Sequence, residues 1–103
     1  MLMHVDTTQV QVIQMAQPNQ HAILQGKVIK QQAGGNVTYE LRLTRKVRFA
    51  GLQCPYSFTQ NWVQILRDAG DARYLALSGR HRYRVQLSCS MAGPIIERMR
   101  LQK

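Results

Sequence analysis

Cationic side chains recur at alternate positions in two stretches of the sequence, residues 37–49 and residues 80–91. Such groups neutralise phosphates, and arginine also stacks on exposed nucleobases. The competing interpretation is a solvated strand face, whose cations keep a sheet edge from aggregating. Because Glu40 is the only acid among these cations, we favour phosphate binding. The cations of the two stretches are Arg42, Lys46, Arg48, Arg80, Arg82 and Arg84.

Further side chains extend this candidate binding surface. Lys27 and Lys30 lie in a stretch that precedes the first basic one, and Arg98 and Arg100 lie near the C-terminal end. Tyr56 and Phe58 fall in an irregular segment, where an exposed aromatic ring can stack on a base. Core packing is the more ordinary role for both rings. We include Tyr56 and Phe58 among the candidate binding residues.

Groups that could perform catalysis or hold a metal ion are sparse. His4, His21 and His81 are spread along the chain without metal-ligand spacing, and the sequence has five acids. Asp68 and Asp71 are close in sequence, but they flank Gly70 as turn residues do. A metal-dependent nuclease needs clustered carboxylates. The sequence therefore predicts no enzymatic activity, no metal and no cofactor.

The two cysteines, Cys54 and Cys89, form neither a metal-binding spacing nor a redox CxxC motif. A disulfide between them and two buried thiols are both open, and we favour buried thiols. Residues 1–20 contain no Lys or Arg and no continuous apolar core, so no secretory signal is expected. A reducing, cytoplasmic location and no membrane association are the corresponding expectations.

The elements that position these residues are mainly strands. In Val37–Phe49 the alternate set from Val37 to Phe49 is apolar except for Arg45, which predicts a strand with one buried face. Arg80–Met91 repeats the pattern. Ile95–Leu101 is predicted as the last strand, with Arg98 and Arg100 on the face away from Met99 and Leu101.

The N-terminal half supplies two more predicted strands. In Gln9–Met15 the alternation slips between Val12 and Ile13, which indicates a bulge or an edge position. This segment could pair in its own sheet or reach a second subunit. In Ala22–Gln31 the apolar positions change face around Gly26, as at a bend or bulge. The sequence Ala33-Gly34-Gly35-Asn36 predicts a hairpin loop that leads into the long strand.

One short helix is predicted after an irregular segment, Ala50–Thr59. Asn61 suits the N-cap, Gly70 suits the position after the helix, and the apolar residues between them have helical spacing. Trp62 is then the core anchor of this helix. A further helical turn is predicted within Asp71–Ser78. The apolar residues with helical spacing are Trp62, Ile65, Leu66 and Ala69.

The expected fold is mostly β: a small antiparallel barrel of the OB type, or a strongly bent sheet, with one short α-helix in a single domain covering residues 1–103. Residues 1–20 would add an extra strand or an arm. The stretches Ala22–Val28, Tyr74–Gly79 and Tyr83–Val85 resemble those of short OB-fold single-stranded-DNA-binding proteins, of the bacterial SSB and primosomal replication protein B kind. The resemblance implies an OB barrel that takes part in DNA replication, and it lies in layout more than in motifs.

A net charge of +9 on 103 residues also favours an anionic partner. The first functional hypothesis is a module, dimeric or larger, that binds single-stranded DNA or RNA through its basic strand faces with little sequence specificity. The alternative is a structural or assembly subunit of a larger complex, of the phage or secretion type. Its cations would then meet an acidic protein partner.

Overall fold

The computed structural model describes residues 10–66, 68–69 and 78–102. Strands account for 71% of them, and none of these residues is helical. The predicted mostly β class is therefore confirmed. The strands are β1 (Gln11–Gln14), β2 (Gln20–Ala33), β3 (Asn36–Ala50), β4 (Phe58–Ile65), β5 (His81–Ser90) and β6 (Gly93–Leu101).

The six strands form one sheet in the order β1-β3-β2-β5-β6-β4, and β3 also pairs with β4. This additional pairing closes a ring of hydrogen-bonded strands that runs through β3, β2, β5, β6 and β4. Within the ring β4 and β6 are parallel, and the other neighbours are antiparallel. Strand β1 lies outside the ring, parallel to the C-terminal half of β3. The first strand thus pairs within its own chain.

The predicted alternation of β3 and β5 is confirmed. On β3 the side chains of Leu41 and Phe49 are buried, whereas Arg42 and Arg48 are exposed. On β5 Tyr83 lies in the core between outward-facing arginines. The core also takes Met15, Leu24, Leu43, Val47, Val63, Ile65, Val85, Leu87, Ile96 and Met99. One face of each strand is therefore reserved for packing, and the other is left for contact with solvent or ligand.

Gly26 is the residue at which β2 changes its partner. Strand β2 pairs with β5 up to Gly26 and with β3 from Gly26 onward. A Cβ atom at this position would overlap the carbonyl group of Arg42. The change of apolar face predicted around Gly26 is wrong, because Leu24 and Gly26 are buried and Val28 is partly buried, whereas Gln25 and Lys27 are exposed. Gly26 marks a change of strand partner instead.

The predicted hairpin between β2 and β3 is confirmed, with Gly34 and Gly35 as its two turn residues. Their φ angles of 58° and 84° are those of the tight turns that suit a twisted hairpin. From Lys30 to Thr38 every side chain is exposed, on both faces of the hairpin. The hairpin therefore extends beyond the core.

The predicted helix is wrong over residues 61–65, which belong to β4. Val63 and Ile65 are buried, whereas Trp62 and Gln64 face outward, so the apolar pattern has period two here. Pairing with β3 along most of β4 outweighs the local helical spacing. The N-cap prediction for Asn61 fails with it. Gly70 and the helical turn predicted within 71–78 lie outside the described residues, apart from Ser78.

The interpretation of the cysteines as buried free thiols is also wrong. Cys54 and Cys89 form a disulfide, with Cα atoms 4.9 Å apart. The loop before β4 reaches β5 because it first folds back on the residue that follows β1: Met15 donates to the Ala50 carbonyl, and Gln53 donates to the Met15 carbonyl. The disulfide thereby fastens this loop across one end of the strand ring.

Candidate functional site

The two basic strands are not neighbours, because β2 lies between β3 and β5. The cations of the two basic stretches therefore do not form one continuous patch. Some of them lie on two separate outer surfaces, and the others lie outside both. One surface spans β2, β3 and β4, and the other spans β2, β5 and β6. The two surfaces meet along the outward side of β2.

The first surface, which we call the tryptophan face, consists of Lys27, Arg42 and Trp62. Lys27 is directly opposite Arg42 on the neighbouring strand, and Arg42 is directly opposite Trp62 on the next. The Cβ atoms of such cross-strand neighbours lie about 5 Å apart. The Trp62 side chain is 40% exposed. Two cations and an accessible indole thus stand in one row across three strands.

Glu40 organises the polar groups beside this row. Its Oε2 accepts a hydrogen bond from Arg42 Nε at 3.0 Å, and its Oε1 accepts one from Gln31 Nε2 at 2.8 Å. Gln64, on the next strand, is the register partner of Glu40. A groove of about 240 Å³ runs beside Trp62. Its lining is Gln31, Thr38, Tyr39, Glu40, Trp62 and Gln64.

The second surface, which we call the arginine face, consists of Arg82, Arg84, Arg98 and Arg100. Arg84 on β5 is directly opposite Arg100 on β6. Arg98 is opposite Gln86, whose partner on β2 is His21. A cleft of about 330 Å³ opens between these side chains. Its lining is His21, Ala69, Arg84, Val85, Gln86, Arg98, Met99 and Arg100.

The charge of the two faces differs. In residues 10–66, 68–69 and 78–102 the single ion pair joins Arg42 to Glu40. The arginine face has no acid paired with it in that part of the chain. Like charges directly opposite each other on neighbouring strands destabilise a sheet, and the opposition of Arg84 and Arg100 concentrates positive charge on the arginine face.

Four of the predicted cations lie outside both faces. Lys30 is on the exposed part of the β2–β3 hairpin, opposite Tyr39. Lys46 lies within the irregular stretch of β3 between Arg42 and Val47, and Arg48 lies beyond it. Arg48 donates from Nε to Ser57 Oγ at 2.9 Å. Arg80 precedes β5 and is exposed.

The two aromatic residues predicted as candidates, Tyr56 and Phe58, lie at the disulfide end of the molecule rather than on either face. Their rings meet edge to face, with centroids 6.3 Å apart. Phe58 is half-buried and is the register partner of Phe49, which is a packing role. Tyr56 is 60% exposed.

Sequence reasoning missed Trp62 as a surface residue, because the helical interpretation placed it in the core. The stretch Trp62-Val63-Gln64-Ile65 fits a strand as well as a helix, so no local signal could have placed Trp62 on the surface. Sequence reasoning also missed His21 as part of the cleft. His21 has no local motif, and it meets Gln86 through strand pairing alone.

Two other polar groups lie away from these faces. His81 Nε2 is 2.9 Å from the Ser78 carbonyl oxygen, which agrees with a satisfied structural histidine. The Tyr83 side chain is fully buried, and its hydroxyl has no hydrogen-bond partner among the described residues. Burial raises the pKa of the Tyr83 hydroxyl.

The described ranges contain no group of three or more His, Cys, Asp or Glu side chains placed to hold a metal ion. They also contain no helix whose length and apolarity would let it cross a membrane. Comparison with protein-family models, with curated proteins and with solved structures finds no match to this chain.

Proposed function

We propose that this chain is a non-enzymatic module that binds single-stranded DNA or RNA with little sequence specificity. The observation that supports the proposal best is the row Lys27–Arg42–Trp62. An exposed indole offers a stacking surface worth about 1–3 kcal/mol per base. The cations beside it can neutralise the phosphates that flank a stacked base.

Single strands fit this row better than duplexes. A base can stack on Trp62 only when its own face is free, which a paired and stacked duplex does not offer. Backbone neutralisation and stacking are both tolerant of sequence. The ligand class is therefore defined by an unpaired strand rather than by a base sequence.

The strand order supports an OB-like barrel as the finer description of the fold. If β2 is counted as the first barrel strand, β3 and β4 are the second and third, and these are the strands whose surface binds oligonucleotides in OB folds. Arg42 and Trp62 lie on those two strands. The single-stranded-DNA-binding resemblance and the position of the tryptophan face thus favour the same surface.

The disulfide bears on where the protein acts. Disulfides persist in oxidising compartments and are rare in the cytosol. The Cys54–Cys89 pairing therefore weighs against the cytoplasmic location expected from the sequence. Binding to nucleic acid outside the reducing cytosol, in a secreted or surface-assembled particle, accommodates both the disulfide and the basic faces.

One observation favours a second function, that of an assembly subunit. Among the described residues strand β1 pairs on one side only, with β3, and Val10 and Val12 beside its open edge are exposed. An open edge with exposed apolar side chains can accept a strand from another chain. A homo-oligomer, or a complex with an acidic protein partner, would then form through β1.

The test uses the fact that Trp62 is the only tryptophan of the chain. We expect oligothymidylate to quench its fluorescence, because the base stacks on the indole. Trp62→Ala should weaken binding roughly tenfold or more, as the loss of about 1–3 kcal/mol implies, and Trp62→Phe should retain part of the affinity. Leu52→Ala is the matched control, since Leu52 is 90% exposed and belongs to neither face.

One result would reject the nucleic-acid function, and another would reject the tryptophan face as its site. Absence of binding by fluorescence anisotropy at low salt would remove the nucleic-acid function. Defined oligomers free of nucleic acid in size-exclusion chromatography would then favour the assembly subunit. Binding with unchanged Trp62 fluorescence, and with full affinity in Trp62→Ala, would instead remove the tryptophan face from the site.

A further inference from the structure

We propose that the arginine face is a second phosphate-binding site, which holds the sugar-phosphate backbone of the strand whose bases stack on Trp62. This inference rests on the proposed function and adds the route of the ligand. The strand would cross the outward side of β2, from the tryptophan face to the cleft between Arg84 and Arg100.

A bulge in β6 creates the cleft. Gln86 pairs with Arg98, but the next residue of β5, Leu87, pairs with Ile96, so Glu97 is the extra residue on β6. Extra residues of this kind re-aim the side chains around them. As a result Ile96 and Met99 are both buried, and Arg98 and Arg100 both face outward.

The electrostatic cost of the cleft favours an anionic ligand. Opposed arginines on neighbouring strands destabilise the sheet, and within the described parts of the chain no acid is paired with either one. Phosphate oxygens would supply the missing negative charge, because guanidinium groups match them in charge and in bidentate geometry. The cleft volume of about 330 Å³ lies at the small end of ligand sites.

The lining of the cleft selects phosphate rather than base. Its polar residues are His21, Gln86 and three arginines, and its apolar residues Ala69, Val85 and Met99 are buried. The described residues place no exposed aromatic ring on this face. The bases of the ligand therefore stack on the tryptophan face, and the arginines of the cleft neutralise its phosphates.

Arg82 connects the two faces. Its partner on β2 is Gln25, which lies two positions before Lys27 on the same outward side. From the Lys27 row to the row of Arg84 and Arg100, the path covers about 13 Å along β2 and about 10 Å across two strand spacings. A short oligonucleotide on the tryptophan face would not reach the far row, whereas a longer one would.

The experiment compares oligothymidylates of about four and about sixteen nucleotides, the range of site sizes found for OB folds. The variant is the double substitution Arg84→Gln, Arg100→Gln. It retains Trp62, and the quenching of Trp62 fluorescence measures binding in both the variant and the wild type. With the long oligonucleotide we expect about 25-fold weaker binding at 0.1 M salt and a salt slope reduced by about 1.4, as the loss of two phosphate contacts implies. With the short one we expect less than about a twofold change, because no phosphate contact is lost.

The control removes the same charge elsewhere, through Arg45→Gln with Lys46→Gln, residues that lie outside both faces. Equal losses in the two double variants, or equal losses at both lengths, would overturn the second site and leave only a general electrostatic attraction. Unchanged long-strand affinity with intact quenching would overturn the site while the proposed function stands. Absence of quenching and binding in the folded wild type would overturn both.

Discussion

The backbone of Gly26 lies directly against the carbonyl group of Arg42, so that no side chain fits at this position. The contact joins the point where β2 changes its partner to the central residue of the tryptophan face. The fold and the candidate site therefore share one constraint.

Replacing this glycine should cost stability. We expect Gly26→Ala to lower the free energy of unfolding by about 3 kcal/mol, since the added methyl group forces β2 and β3 apart. Urea denaturation followed by far-UV circular dichroism measures the change. Gly34→Asn is the control, because its turn position has open space and asparagine tolerates positive φ. Equal losses in the two variants would contradict the proposed contact.

The disulfide should contribute strongly to stability for a chain of this size. It joins residues 35 apart, a loop for which loop-closure entropy predicts about 3–4 kcal/mol. We expect reductant to lower the melting temperature of the wild type and to leave that of the Cys54→Ala, Cys89→Ala double variant unchanged. An insensitive wild type, with the thiols shown by mass spectrometry to be reduced, would contradict this expectation.

The buried hydroxyl of Tyr83 should make folding sensitive to alkaline pH. Burial raises the pKa of this hydroxyl in the folded state. Its pH-dependent contribution to the free energy of unfolding is therefore fully present below the unfolded pKa of about 10. Stability is lost as the pH rises from there through the folded pKa, because the unfolded chain releases the proton first. Tyr83→Phe should flatten this alkaline loss.

At neutral pH the same variant should be neutral or more stable by about 1 kcal/mol, since it removes a buried hydroxyl without a partner among the described residues. Thermal unfolding across pH 7 to about 10.5, above the reference tyrosine pKa, tests both statements. A large loss of stability at neutral pH would show that the hydroxyl is satisfied and structural.

Glu40 should limit the affinity of the tryptophan face for nucleic acid. It forms the ion pair with Arg42, and exposed pairs of this kind contribute only about 0–1 kcal/mol to stability. We expect Glu40→Gln to bind oligothymidylate several-fold more tightly, because a negative charge beside the phosphates is removed while the amide can still accept a hydrogen bond from Arg42. Fluorescence titration at low and high salt measures the change in affinity. Weaker binding by the variant would mean that the Glu40 carboxylate helps more by positioning Arg42 than it harms by repelling the phosphates.

The elements that the sequence predicts well have strong local patterns. The alternation of β3 and β5 and the Gly34-Gly35 turn depend on neighbouring residues, and the structure follows them. The residues of β4 carry spacing that suits both a helix and a strand, and pairing with β3 decides between the two. No local pattern distinguishes these alternatives for Trp62.

Several cations of the candidate site were predictable, but their arrangement and the exposure of Trp62 were not. The sequence shows outward-facing cations on β3 and β5, but β2 separates the two strands, which only the sheet order reveals. The opposition of Arg84 and Arg100 depends on the register set at the Glu97 bulge. The Cys54–Cys89 bond likewise joins two residues that are 35 positions apart, and no local pattern brings them together.

The ring of strands contains two hairpins with short turns, β2–β3 and β5–β6, and each carries an opposed pair of cations, Lys27–Arg42 and Arg84–Arg100. Hairpins form in about 1–10 μs, whereas pairings between distant segments such as β2 and β5 form much more slowly. Docking of the hairpins therefore brings two positively charged units together. Dissolved ions screen the repulsion between these units, so the ring should close faster in concentrated salt. A polyanion that bridges the two hairpins would then bind the folding chain as well as the folded protein.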